Sequence, residues 1–252
     1  MSSFPKWAVG VLAGSAALFP VLVVALWRWT VLGFWEAAYL VLLVELLPAL
    51  ALVQLPLAQA DDPVPRVPVY VSSGAVVLVL GLGGILAGWG RIGPEAMGLV
   101  RVPWSLVVPW ALGLSAGALL VMGYFFVLRR AVGLRESPLL IQLLPRTGKE
   151  KLVFAWLSLA AGVGEELAYR GFLVPVLALL LGSPWGAAVA SSVVFGALHA
   201  YQGWLGMVRT GVLGLLLAAS LILSGSLWPA ILAHAILDLL AGLVIGETLV
   251  RE

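Results

Sequence analysis

The chain has no cysteine and no asparagine, only two histidines, and charged residues fill just 10% of its 252 positions. The missing cysteine excludes disulfides, thiolate metal ligands and a cysteine nucleophile together. The missing asparagine fits a heat-adapted source, because asparagine is thermolabile. So little charge excludes an ordinary soluble domain, in which about a quarter of residues are charged. Apolar residues fill the space instead: the hydrophobic share is 62% and mean hydropathy is +1.11, against an apolar share of about 45–50% in soluble domains. This points to an integral membrane protein. Net charge is +2, with the basic residues gathered at predicted loops, so the charge reflects topology and no nucleic-acid partner is expected.

A membrane-spanning helix needs about 20 apolar residues. Runs that read as spans occupy 7–27, 31–53, 69–88, 104–128, 152–181, 185–200, 204–223 and 227–250. The predicted fold class is all-α, a polytopic membrane helical bundle of about eight transmembrane helices. Residues 1–128 hold four spans, 129–151 form a basic loop, and 152–252 hold four more, within one bundle. The stretch 138–144 of that loop reads as a short helix along the interface. The first run is too long for a signal-peptide core and has no clear cleavage site, so it reads as a retained span.

With eight spans, Lys6, Arg66, Arg129, Arg130, Arg135, Arg146, Lys149, Lys151 and Arg251 share one side, against Arg28, Arg91 and Arg101 on the other. The positive-inside bias then puts both termini in the cytoplasm, N-in and C-in. The expected location is multi-pass in a cell membrane, the cytoplasmic membrane of a prokaryote. Of the 11 tryptophans, Trp7, Trp27, Trp29, Trp35, Trp89, Trp104, Trp185, Trp204 and Trp228 fall at span ends, as an interfacial belt requires. The Gly81–Gly84 cluster and Gly113-x-x-x-Gly117 predict close helix contacts. Pro175, inside the overlong run from 152, predicts a kink or a division.

Against this apolar background a few ionisable groups stand out. Glu165, Glu166 and Arg170 lie in the fifth span, His199 in the sixth, His234 and Asp238 in the eighth. Each charged residue at mid-bilayer costs at least ~2.5 kcal/mol, and such residues generally mark function. Residues four apart share a helix face, so Glu166 is placed to pair with Arg170 and His234 to stand beside Asp238. Glu165 points ~100° away from Glu166, which suggests one structural and one reactive acid. Depth is less settled. Glu165 lies ~21 Å along the helix from the cytoplasmic Lys151 and His234 ~10 Å below the outer surface, while His199 falls close to the cytoplasmic end of its span.

The three motifs Glu165-Glu166-x-x-x-Arg170, Phe195-x-x-x-His199 and His234-x-x-x-Asp238 resemble, in order, the signature of the CAAX-protease and bacteriocin-processing family of intramembrane proteins, which includes the Ras-converting CAAX endopeptidase. The resemblance covers about residues 152–240. It implies hydrolysis of a peptide bond in a membrane-tethered peptide or protein, with no covalent intermediate. Glu165 would activate water as general base, and His199 would position it. His234 and Asp238 would hold the polarised carbonyl and its oxyanion, Glu166 and Arg170 would brace the fifth span, and Phe195 would pack beneath His199.

Glu165, His199, His234 and Asp238 could alternatively hold a divalent metal such as zinc, a set of N and O ligands suited to it. The usual zinc-protease HExxH helix is absent from the sequence. Two other classes compete: a non-catalytic immunity or scaffold protein of the same family, and an ion- or proton-coupled transporter using deep carboxylates as a relay. Glu36 and Glu45 read as interfacial or internally paired, Arg209 as a counter-ion for one of the acids or a snorkelling cation, and Glu247 as terminal. Gly113-Leu114-Ser115-Ala116-Gly117 matches the GxSxG nucleophile pattern but sits in an apolar helix without the strand and turn that motif needs, so it reads as a packing site.

Overall fold

A computed structural model describes residues 5–55 and 64–246. Glu247 and Arg251, which entered the expectations from sequence, lie outside the described residues. The described chain is helical throughout: α1 Lys6–Trp29, α2 Phe34–Gln54, α3 Arg66–Gly88, α4 Trp104–Ala131, the short α5 Pro138–Gln142, α6 Gly148–Leu181, α7 Pro184–Leu198, α8 Gly203–Ser224 and α9 Trp228–Ile245. Among the described residues there is no β-strand. The protein is a multi-pass membrane protein with an all-helical, polytopic bundle, as its hydropathy demands. All nine tryptophans expected at span ends are exposed.

All eight expected apolar segments form helices over the described residues, but they differ in length. Among the described residues seven helices are long and apolar enough to cross a membrane, and α7 has only 15 residues. Its boundaries are explicit in local chemistry. At the start, Pro184 occupies the first turn and the Ser183 hydroxyl accepts from the Gly186 amide at 3.1 Å. At the end, His199 leaves helical geometry with φ −93° and ψ 21°, a 3-10 turn follows at Ala200–Gln202, and Gly203 takes φ +81°, a conformation that L side chains rarely adopt. Fifteen residues reach ~22 Å, short of the ~30 Å of a hydrocarbon core. His199 therefore closes a helix shorter than the other expected spans.

The division expected near Pro175 occurs, but as a change of helix type. α6 begins with a capping box: the Thr147 hydroxyl accepts from the Glu150 amide at 3.2 Å, and the Glu150 carboxylate accepts from the Thr147 amide at 3.0 Å. Residues Glu166–Leu173 then widen into a π-helix before α-geometry resumes at Val174. Proline has no N–H, and its ring clashes with the carbonyl four residues back; a widened turn just ahead of it relieves both. The same pairing recurs in α2, where the π-segment Leu42–Leu46 precedes Pro48.

α6 is the centre of the bundle, packed on α3, α7 and α9. Two glycines beside Glu165 set its approach. A Cβ on Gly164 would enter the Val77 backbone of α3, and one on Gly162 would stand 2.9–3.0 Å from Ala235 and the Ile231 carbonyl of α9. The expected Gly81–Gly84 contact is real, because Gly81 faces Gly164 and Gly84 faces the Leu167 carbonyl. The expected contact at Gly113-x-x-x-Gly117 is not. Gly113 meets nothing within 4 Å and Gly117 only the Leu216 side chain, because this face of α4 points outward between exposed Leu112 and Leu120. Ser115 is buried and donates to its own helix at Ala111 O, 2.8 Å, so it is no nucleophile.

The N-terminal helices supply much of the wall behind the charged segment. Tyr39 of α2 donates to the Leu80 carbonyl of α3 and packs edge-on against Phe172, with ring centroids 4.8 Å apart. Around that pair lie Leu40, Leu43, Tyr169, Leu173 and Phe195, all buried.

Candidate functional site

The innermost layer is an ion pair shared three ways. Glu166 and Arg170, at 0% and 1% exposure, meet with Nη1 donating to Oε1 at 2.6 Å. The same Oε1 accepts from His234 Nδ1 at 2.8 Å, across from α6 to α9. The Arg170 guanidinium also stacks 4.2 Å over the Phe195 ring, an arrangement that suits a delocalised cation in a dry site. A lone buried charge would cost several kcal/mol. Here a cation and a histidine N–H converge on one carboxylate oxygen, while Glu166 Oε2 and Arg170 Nη2 are buried without a hydrogen-bond partner.

Above this sealed layer sits an accessible one. His234 Nε2 lies 3.8 Å from Glu165 Oε2 and 3.7 Å from Asp238 Oδ2. These distances exceed a direct hydrogen bond and suit a bridging water or a polar substrate atom. The Glu165 and Asp238 side chains are 19% and 38% exposed, against 10% for His234. The Glu165–Glu166 division predicted from helix geometry is therefore present, with one acid sealed and its neighbour open.

His199 joins the cluster through Phe195. Its Nδ1 lies 2.8 Å from the Phe195 carbonyl, and a carbonyl can only accept, so Nδ1 carries the proton and Nε2 presents a lone pair. Phe195 packs against His199 at 4.8 Å and edge-on to His234 at 6.2 Å between ring centroids. The structure thus brings together all seven residues picked out from sequence: Glu165, Glu166, Arg170, Phe195, His199, His234 and Asp238.

The connections differ from those expected. His234 is the hub, within 4 Å of Glu165, Glu166 and Asp238, and Glu166 reaches beyond its own helix to orient a histidine. The i,i+4 pattern forecast Glu166–Arg170; nothing in sequence forecast a contact 68 positions away. Arg209 is no counter-ion for a motif acid. It pairs with Glu136 of the central segment at 3.2 Å and with the Gln202 side chain at 2.9 Å. Glu36 is paired internally, with Arg91 at 3.7 Å, and Glu45 sits half-buried on the widened turn of α2. Sequence reasoning also passed over Tyr201, whose ring lies 5.9 Å from His199; a tyrosine beyond a helix end carries no periodic signal.

Among the described residues, no three His, Cys, Asp or Glu side chains are arranged to hold a metal ion. The zinc set considered from sequence therefore finds no support in this geometry. A cavity of about 70 Å3 lies on the Tyr201 side, its walls including Phe125, Arg129, Glu136, Gln202, Trp204 and Arg209.

Residues 147–240 match the family model described as Type II CAAX prenyl endopeptidase Rce1-like. That segment runs from the Thr147 cap of α6 to the α-helical end of α9 at Leu240 and contains every residue of the cluster. No curated protein and no solved structure matches the chain.

Proposed function

We propose, on the premise that residues 147–240 form an Rce1-like domain, that this chain is an intramembrane endopeptidase acting on a membrane-tethered peptide or protein through glutamate-activated water. The observation that carries the reading is the convergence on His234: residues from two of the three motifs lie within 4 Å of it, and Phe195 ties in His199 of the third.

Each step follows from a group's position and exposure. Water enters beside Glu165, the open carboxylate. As its oxygen attacks the scissile carbonyl carbon, one proton passes to Glu165 and the carbonyl π-electrons move onto oxygen. His199 Nε2, an acceptor by its tautomer, holds the second water hydrogen and aims the lone pair. The oxyanion is met by Asp238 in its protonated form and by His234 Nε2–H, the ring being doubly protonated because its Nδ1–H is already given to Glu166, since only an N–H or O–H donor stabilises it. Collapse breaks the C–N bond, and the proton held by Glu165 goes to the leaving amine. Glu166 fixes the His234 ring as a second carboxylate does in other histidine sites, and Arg170 holds Glu166.

The basic central segment and the tryptophan belt support a cell-membrane protein whose N-terminus and central segment, separated by four long helices, are cytoplasmic. The test uses the purified full chain in detergent with a quenched membrane-peptide substrate. Turnover should be lost on Glu165→Gln and on His199→Ala; unchanged turnover in both would sink the assignment. Chelator treatment of the same preparation addresses the zinc alternative, and unchanged turnover is expected.

A further inference from the structure

A chain of polar contacts leads from the central segment to the cluster, and it has a direction. Arg129 Nε stands 3.4 Å from Glu136 Oε1, which also accepts from Arg209 Nη1 at 3.2 Å. Arg209 Nη2 donates to Gln202 Oε1 at 2.9 Å, with the Thr210 hydroxyl at 3.5 Å from the same oxygen. Gln202 Nε2 then faces the Tyr201 hydroxyl at 3.2 Å. An arginine can only donate. The end of the Gln202 amide that meets Arg209 must therefore be the oxygen, and the end that meets Tyr201 must be the NH2. An amide NH2 likewise can only donate, so the Tyr201 oxygen is the acceptor in that bond. Its own proton has to point elsewhere.

The surroundings say where. Tyr201 lies in the 3-10 turn that follows His199, its ring 5.9 Å from the imidazole, and it interacts electrostatically with both Glu165 and Asp238. It is partly buried, as are His199 and Gln202. The hydroxyl is thus a proton-bearing donor on the His199 side of the cluster, its oxygen held by a glutamine that an arginine holds in turn.

We propose that Tyr201 is a further catalytic residue of this site, donating a hydrogen bond to the oxygen of the scissile carbonyl as it becomes an oxyanion, and that Gln202 is its positioning residue. No covalent bond to Tyr201 forms and no proton leaves it; the phenol O–H persists through attack and collapse. The inference rests on the endopeptidase reading above. It adds a donor from the α7–α8 turn to those from α9, so that the oxyanion is gripped from two helices and a peptide correctly seated between them is required for full stabilisation. The Glu136–Arg209 pair joins this donor to the central segment, which couples the turn to chain outside the Rce1-like match at 147–240.

The experiment compares wild type, Tyr201→Phe, Gln202→Met and Glu165→Gln as full chains in detergent. Tyr201→Phe keeps the ring against His199 and removes only the hydroxyl. It should lower kcat about 100-fold, the cost of one oxyanion donor, with KM within about twofold, because the bond forms only in the transition state. Gln202→Met should lower kcat about tenfold and leave the melting temperature unchanged, with activity recovered in Gln202→Asn only as far as its shorter amide reaches Tyr201. A second readout is affinity for a peptide aldehyde, whose hydrate presents a tetrahedral carbon; Tyr201→Phe should weaken it about tenfold. Wild-type kcat and aldehyde affinity in Tyr201→Phe, alongside an inactive Glu165→Gln, would overturn the role of Tyr201 and leave the endopeptidase reading standing. If Glu165→Gln cleaves like wild type, the reading of Glu165 falls and aldehyde affinity alone decides Tyr201. A wild-type chain that neither cleaves nor binds the aldehyde overturns both.

Discussion

The floor and the rim of this site are made of the same residue types and are put to opposite uses. In the floor, Glu166 and Arg170 are sealed and His234 Nδ1 is bound at 2.8 Å. On the rim, Glu165 and Asp238 keep 19% and 38% of their side chains open and stand 3.7–3.8 Å from His234 Nε2. A charge sealed from water is stable only with its partner, whereas a charge in reach of water can exchange partners during a reaction. One imidazole spans the two layers, with Nδ1 in the floor and Nε2 at the rim. Position in the fold, more than identity, separates the sealed acid from the open one, and adjacent residues on one helix are the shortest sequence device for producing that separation.

This contrast can be broken from either side. The largest effect is expected for Glu166→Ala, which strands Arg170 and His234 together. Losing one partner of a buried pair costs about 3–5 kcal/mol, and a fall in melting temperature with loss of folded protein should be seen by thermal denaturation in detergent. Replacing both partners, Glu166→Leu with Arg170→Leu, removes the stranded charge. Stability should return to within about 1–2 kcal/mol of wild type while turnover stays low, because His234 has lost its orienting acceptor. Full activity in that double variant would reduce the floor to scaffolding.

On the rim the expectation reverses. Glu165→Gln should cut kcat by about 10²–10⁴-fold, the range for a general base, with the melting temperature unchanged. A large loss of stability there would erase the distinction between the layers. Gly164→Ala tests how the backbone holds both. Its Cβ would enter the Val77 backbone of α3, so a destabilisation of about 1–3 kcal/mol should come with reduced turnover as Glu165 shifts. The smallest effect is expected for Arg91→Ala. Arg91 is half-exposed and stands 3.7 Å from the largely buried Glu36, beyond a direct hydrogen bond, so its loss should cost about 1 kcal/mol and leave activity near wild type.

The bundle was legible because hydropathy is a local property. A run of apolar residues dictates a span wherever it falls, and the tryptophans mark its ends by the same interfacial chemistry in any fold. Glu166–Arg170 and His234–Asp238 were legible for a related reason, since four residues along a helix always bring side chains to one face. The failures were all non-local or geometric. Gly113-x-x-x-Gly117 has the right pattern for a helix contact but faces outward, because which stripe of α4 meets a neighbour depends on the rotation of the whole helix. Arg209 found Glu136 and not a motif acid, since its partner was chosen by how the central segment folds back over α8.

Sequence alone determined that this is a membrane-embedded helical protein whose rare ionisable residues are its candidate chemistry, because the cost of charge in lipid is independent of topology. It also picked out the residues that the fold brings together, since an ordered set of motifs needs no coordinates to be read. Only the tertiary structure decided how they are wired. α7 ends early at His199, the π-turn before Pro175 carries Glu166 and Arg170, and close approach at Gly162 places α6 against α9, with Gly164 seating it on α3, so that His234 becomes the hub. Each of these depends on distances between helices far apart in the chain, which packing sets and periodicity does not encode.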